Sequence, residues 1–289
     1  MAQTQILQRR IRSVKNAGQI TKALEVVAAS RMRRIQDSVA KVRRYAEVAD
    51  SIMRKIAPSQ EAQQHPYFKS GGGKTKLYII FSSDRGQAGA YNSNVFNQAH
   101  HAFTQDKSGG FKSAIIVFGR KGTHHFARLS DIEVLGAYED VVDTPNVNVF
   151  APVLDTIENG FSKGNLVSVD IIYTEFKSSL VQTVRLKPLL PITLDANDQP
   201  ETTKVYEFEP GIEAVLQEAL RIYFEARFMA ARVESAASEH AMRMVAMGNA
   251  NRNAKDIVTD LILELNSVRQ AAITQEIAEI IGGAEAITV

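Results

Sequence analysis

All eight prolines of this 289-residue chain, from Pro58 to Pro210, fall in its middle, leaving the first 57 and last 79 residues without one. Proline locks φ and lacks an N–H, so it breaks helix interiors, and flanks without it are free to form long helices. The amino-terminal flank adds periodicity. Alternating steps of four and three from Leu7 give Ile11, Val14, Gly18, Thr21, Glu25, Ala28, Met32, Ile35, Val39, Val42, Ala46, Ala49, Met53 and Ile56. Only Gly18, Thr21 and Glu25 interrupt the apolar seam. A 3.5-residue repeat sustained this far predicts a left-handed coiled coil. Where the seam lapses, Ile20, Leu24 and Val27 carry apolar character on another face, so one partner helix does not suffice there.

The carboxyl-terminal flank, Glu213 to Ile281, is rich in the helix formers Ala, Glu, Leu, Met and Gln. Its expected start is Pro210-Gly211 and its expected stop Gly282-Gly283. Aromatics end at Phe228, and the slim residues beyond suit a slender helix pair. Helices ending at Ile56 and starting at Glu213 are roughly 80 and 100 Å long at ~1.5 Å per residue. A compact chain of this size has a radius of gyration of only ~19 Å, so the helices must protrude. Paired antiparallel, the second overshoots the first by roughly 24 Å. Its tip carries Ile273, Ile277, Ile280, Ile281, Ile287 and Val289, and such a tip needs a sleeve from other chains.

Between the flanks the pattern alternates. Strands are expected at Leu77–Phe81, Ser113–Phe118 and Ile132–Tyr138, and helices at Tyr91–Gln105, Arg120–Leu129 and Val147–Phe161. A strand pair, Val167–Thr174 and Val181–Leu189, is joined by Lys177-Ser178-Ser179. The fold class is therefore α/β: a long antiparallel coiled coil of N- and C-terminal helices with an inserted small doubly wound, Rossmann-like domain. The expected divisions are 1–57, 58–210 and 211–289, with Gln60–Gly73 and Asp195–Glu209 as loop-rich connections.

Composition narrows the chemistry. The chain has no cysteine, which excludes a disulfide scaffold, a Cys-based zinc site and a thiol nucleophile. Its purely apolar runs are far shorter than the ~20 residues of a membrane helix, so a soluble chain is expected. The net charge of +2 hides an asymmetry: residues 1–56 carry +9 and the remainder −7. Such a basic arm calls for an acidic or phosphate-bearing partner, or a solvated face.

No motif makes a convincing catalytic or cofactor site. Gly71-Gly72-Gly73-Lys74-Thr75 resembles the end of a phosphate-binding loop. It lacks the earlier Gly, with Phe68 in its place, and precedes a strand instead of following one, so a flexible linker tip is the better reading. Ser83-Asp84-Arg85-Gly86-Gln87-Ala88-Gly89 does follow a strand, where α/β sheets bind ligands. Its glycines make no dinucleotide fingerprint, and a tight turn needing Gly backbone angles is favoured. The pairs His100-His101 and His124-His125 lack metal-chelating spacing, and Glu139, Asp140 and Asp143 read as solvated loop acids. Arg31, Arg33, Arg34, Lys41, Arg43 and Arg44 suit nucleic-acid phosphates or acidic protein loops equally well. These residues leave open an elongated interaction scaffold, a nucleotide-using enzyme and a nucleic-acid binder.

A resemblance is more specific. Ile20-Thr-Lys-Ala-Leu24, Val27-Ala-Ala-Ser-Arg-Met32, Ser83-Asp-Arg-Gly86, Arg243-Met-Val-Ala-Met247 and Arg269-Gln-Ala-Ala-Ile-Thr-Gln-Glu276 resemble the signatures of the gamma subunits of F-type ATP synthases, in order and across the whole chain. Length and lack of cysteine match the bacterial form. The resemblance implies a non-catalytic rotor shaft without cofactor or metal, present once per hetero-oligomeric complex. It would couple ion flow through the membrane c-ring to ATP synthesis or hydrolysis in beta. Implied partners are the alpha, beta and epsilon subunits and the c-ring, not nucleic acid, with a peripheral position on the cytoplasmic face of the bacterial membrane. By position, Lys22, Arg269, Gln270, Thr274 and Glu276 would contact the alpha/beta ring, as would basic Arg31 and Arg34. Arg243 would support coupling and Ile280 and Ile281 the bearing, while Tyr206 and Glu209 would face the membrane ring. Ala88-Gly89 stands where the family has Cys-Gly, Leu24 where Met is also common, and Asn249–Asn253 departs from an Ala-Thr-rich pattern.

Overall fold

A computed structural model describes residues 2–193, 208–209 and 211–287. Helix α1 spans Ala2–Ile56 and is followed by α2 (Gln60–Gln64) and a 3-10 turn at Pro66–Phe68. Strand β1 (Thr75–Phe81), helix α3 (Tyr91–Ser108), β2 (Lys112–Phe118), α4 (Arg120–Phe126) and β3 (Glu133–Tyr138) come next. A 3-10 turn at Val147–Phe150 leads into α5 (Ala151–Ser162), then β4 (Leu166–Phe176), β5 (Gln182–Leu190) and the 76-residue α6 (Ile212–Ile287).

The strands form one sheet in the order β3-β2-β1-β4-β5, parallel except for β5, which runs antiparallel to β4. Parallel strands covered on both faces must be apolar almost throughout, as Leu77–Phe81 and Ala114–Phe118 are. The two-residue period sorts them. Leu77, Ile79, Phe81, Ile116 and Phe118 face one core with α5 and the first part of α6. Tyr78, Ile80, Ile115 and Val117 face a second core under α3 and α4. The aromatics of α6 belong to the first core, Phe228 lying 5.4 Å from Phe150 between ring centroids.

The chain packs as two units: α1 up to Ala28 with α6 from Arg243, and everything from Ala29 to Met242. In the first unit the helices pair antiparallel, with Leu7 and Ile11 against Leu261 and with Val14, Val258, Leu265 and Val268 around them. At the lapse in the seam, a Cβ on Gly18 would lie 3.3 Å from that of Ala254, so the missing side chain permits close approach. Gly248 does the same opposite the Glu25 carboxyl, 3.5 Å away, and Asn251 is buried. Ile20 and Val27 are each more than half exposed, on the second apolar face that the sequence indicated, and Leu24 between them is part-buried.

Three details differ from expectation. Helix α6 does not stop at Gly282-Gly283 but continues through both glycines to Ile287. Gly costs a helix about 1 kcal/mol against Ala, too little to end one when helix-forming Ala284, Glu285 and Ala286 follow. The Gln60–Gly73 connection is not mere loop, because the Ser59 hydroxyl caps α2 by accepting from the Ala62 N–H at 3.2 Å. The glycines before β1 are not a free linker tip either. Gly71 donates to Val167 O at 3.2 Å, and a Cβ at Gly71 or Gly73 would fall within 2.0 Å of a carbonyl oxygen at the start of β4. The Asp195–Glu209 connection lies outside the described residues except for Phe208 and Glu209.

Candidate partner-contact sites

In the larger unit, α6 fills the crevice at the carboxyl ends of the strands, the place where open α/β sheets take ligands. From Arg232 to Arg243 this helix carries Arg, Glu, Ser and His on nearly every side, yet most of the stretch is buried. Such burial requires partners, and the strand ends supply them. Glu234 accepts from the Phe176 N–H at 3.1 Å, Ser235 Oγ accepts from the Thr174 N–H at 3.3 Å, and Ser238 Oγ donates to Thr174 O at 3.2 Å. Arg232 donates to Val141 O at 2.5 Å. From α1, Arg43 meets Glu234 at 2.9 and 3.0 Å and also donates to Phe176 O.

Of the three loop acids, Glu139 and Asp140 are exposed as expected, and Asp143 is part-buried and engaged. Asp143 lies 3.0 Å from His240 and 3.6 Å from Arg232. Burial pushes its carboxyl up, but His240, Arg232 and Arg31 outweigh that and hold it below the usual carboxylate range. Glu139 and Asp140 both pair with Arg120, at 3.1 and 2.5 Å.

The Ser83–Gly89 turn ties the same strand ends together. One Asp84 oxygen accepts from the backbone N–H groups of Arg120 and Asp140, each at 3.0 Å, and Asn92 bonds Ser83 at 2.7 and 3.1 Å. Left-handed angles occur at Gly89 (φ 56°), as the expected tight turn requires, and also at Gln87 (φ 63°) but not at Gly86. The turn's polar groups are thus taken up by its own chain. Among the described residues no three His, Asp or Glu side chains gather to hold a metal, and no helix is long and apolar enough to cross a membrane. The histidine pairs do meet across helices: His100 Nε2 lies 2.9 Å from His125 Nε2.

The smaller unit holds most of the residues expected to touch partners. Lys22 is exposed and pairs with Glu25 at 3.2 Å, beside a groove of about 630 Å³ at Gly18, Asn251 and Ala254. Arg269, Gln270, Thr274, Glu276, Ile280 and Ile281 are all exposed on α6. They lie roughly 20 Å or more along the helix pair from Lys22, so the expected contacts fall in two groups and not one. Ile273, Ile277, Ile280 and Ile281 are 46–71% exposed at spacings that align them on one helical face. Arg243 is buried and engaged within the chain, whereas Arg31 and Arg34 are exposed on α1 in the larger unit. Glu209 is exposed; Tyr206, Ile287 and Val289 have no described side chain.

The ring-filled α/β core and paired terminal helices define a class, and comparison with known proteins agrees. The family model described as ATP synthase matches residues 3–287. A gamma chain of ATP synthase from Chloroflexus aurantiacus is similar at 39% identity over 292 residues, covering all of both chains. One from Clostridium acetobutylicum is 36% identical over 282 residues, covering 98% of this chain and 97% of the relative. The chain belongs to the gamma-chain family of ATP synthases. In solved structures, the rotor of the Euglena gracilis mitochondrial ATP synthase has a similar fold, with a TM-score of 0.69 at 17% identity over 94% of this chain and 99% of that one.

Sequence reasoning missed the Arg43–Glu234 pair and the Ser235, Ser238 and His240 contacts. A signal was present: between Arg232 and Arg243 the apolar stripe narrows to Val233, Ala236, Ala237 and Ala241, leaving Arg, Glu, Ser and His over the rest of the helix surface.

Proposed function

We propose that this chain is the central rotor shaft of an ATP synthase and is not itself catalytic. In this reading residues 1–57 and 211–289 form the shaft and 58–210 its foot. Ion flow through a membrane c-ring turns the foot, and the asymmetric shaft biases three beta-subunit sites in sequence. By linkage, ATP hydrolysis at those sites turns the shaft in reverse. Lys22, Arg31, Arg34, Arg269, Gln270, Thr274, Glu276, Ile280 and Ile281 contact the alpha/beta ring, and Arg243 stiffens the helix pair from within. Tyr206 and Glu209 face the c-ring, epsilon binds the foot, and the complex holds one copy at the cytoplasmic face of the bacterial membrane.

One observation supports this reading above the others. Helix α6 is continuous from Ile212 to Ile287 and is bonded to the sheet through buried charged and hydroxyl groups, so it is built to carry twist away from the domain. The bonds of α6 to the strand ends, where open α/β sheets commonly take ligands, support the non-catalytic part.

The test assembles the chain with its alpha and beta partners and follows a probe on α3 during ATP hydrolysis. Stepwise rotation in one direction is expected. A stationary probe on a hydrolysing complex, or micromolar nucleotide binding by the isolated folded chain, would overturn the reading.

A further inference from the structure

The two edges of the sheet are finished differently. At one end, β5 carries Arg185, Lys187 and Pro188, the residues that discourage a further strand from pairing. At the other end β3, Glu133-Val-Leu-Gly-Ala-Tyr138, has neither Lys, Arg nor Pro, and its Val134 and Leu135 are 42% and 40% exposed. Tyr138 O is taken by the Gly119 N–H at 2.8 Å, so strand alternation turns the N–H and C=O of Ala137 outward. Among the described residues nothing pairs with that side of β3.

Grooves flank this open edge on both faces. One, of about 520 Å³, is lined by Lys74, Lys112, Lys163 and Glu133 at the side of α5. The other, of about 900 Å³, is lined by Lys107, Lys112, Arg128, Asp131 and Glu133 at the side of α3 and α4. Five cations thus line the two grooves against two carboxylates, while Glu139 and Asp140, beyond the far end of β3, are paired with Arg120. Among the described residues, Lys107 alone of the five has a carboxylate partner, Asp131 at 3.0 Å, in a pair so exposed that it opens easily.

We propose that the β3 edge is a docking site for an extended, acidic segment of a partner polypeptide, which adds to the sheet as a sixth strand. Main-chain bonds to the outward groups of Ala137 fix its register. Alternate side chains of the incoming strand enter the two grooves, where Asp or Glu meet the lysines and arginine. A second copy of this chain does not fit, because pairing β3 with β3 brings two sets of the same five cations together.

The test uses the full chain and two fluorescent peptides of equal length, one alternating Val or Thr with Glu, the other alternating Val or Thr with Lys. Anisotropy is expected to show binding of the Glu peptide, with the Lys peptide at least roughly tenfold weaker. Hydrogen exchange is expected to show new protection of the Ala137 amide. Ala137→Pro removes one outward donor without touching the bonds to β2 and is expected to abolish binding. The triple variant Lys74→Glu/Lys112→Glu/Lys163→Glu, which leaves the β3 backbone intact, is expected to reverse the peptide preference. The proposal is overturned if neither peptide binds, if both bind equally, if the triple variant keeps the original preference, or if the Ala137 amide is instead protected in a dimer of the chain.

Discussion

Arg43 of α1 and Glu234 of α6 form a two-pronged ion pair, Nε to Oε1 at 2.9 Å and Nη2 to Oε2 at 3.0 Å, and the same Glu234 carboxylate caps the Phe176 N–H. Two helices and a strand end therefore share one buried anion. Glu234→Ala leaves the Phe176 N–H without its acceptor and Arg43, 38% exposed, with only Phe176 O and solvent, and is expected to cost about 2 kcal/mol. Urea denaturation measures this. The double variant Arg43→Met/Glu234→Met is expected to recover part of the loss, because it removes both charges at once.

Asp170 on β4 gives a pH dependence of the less common sign. Burial pushes its carboxyl up to about 6, the nearby Asp106 adds to this, and the Ser168 hydroxyl and Lys76 only partly oppose it. The folded chain then holds a proton that the unfolded chain has released. Stability from this group falls as pH rises from about 4 to about 6 and stays lower above. Asp170→Asn is expected to raise Tm at pH 8 and to change it little at pH 4, as followed by calorimetry at both values.

The three glycines before β1 make an internal control. A Cβ at Gly71 would sit 1.7 Å from Leu166 O, while one at Gly72 would meet nothing within 4 Å. Gly71→Ala is expected to destabilise by roughly 1–3 kcal/mol through forced backbone movement, and Gly72→Ala to be near neutral. Equal Tm values for the two variants would contradict the docking of this segment against β4.

At the tip, Ile280 and Ile281 are 71% and 58% exposed. Replacing both with Asp is expected to leave the isolated chain within roughly 0.5 kcal/mol of its original stability, since exposed positions contribute little to folding. In the assembled complex the same change is expected to reduce rotation under load, measured with the α3 probe. A loss in the isolated chain as well would show that the tip packs within its own molecule.

Much of this fold is legible because the relevant physics is periodic. The heptad from Leu7 to Ile56 marked α1, and the apolar runs at Leu77 and Ala114 marked two parallel strands, since a sheet covered on both faces tolerates few polar residues. The end of α6 was not legible, because glycine is only a weak helix breaker. The junction was hidden for another reason. Glu234, Ser235 and Ser238 bond to Thr174 and Phe176, some sixty residues away, and backbone partners leave no side-chain pattern to read. His100 and His125 met for a similar reason: two unremarkable surface helices place them at one crossing. The contact zones at Lys22 and Arg269 came from resemblance to a family, because an exposed side chain that awaits a partner leaves no mark on the folding pattern of its own chain.

The helix seated in the strand-end crevice behaves as a ligand that can never leave. Tethered through its own backbone, it holds the crevice at an effective concentration no free metabolite can match. The place where open α/β sheets commonly take a ligand is thereby held by the chain's own helix.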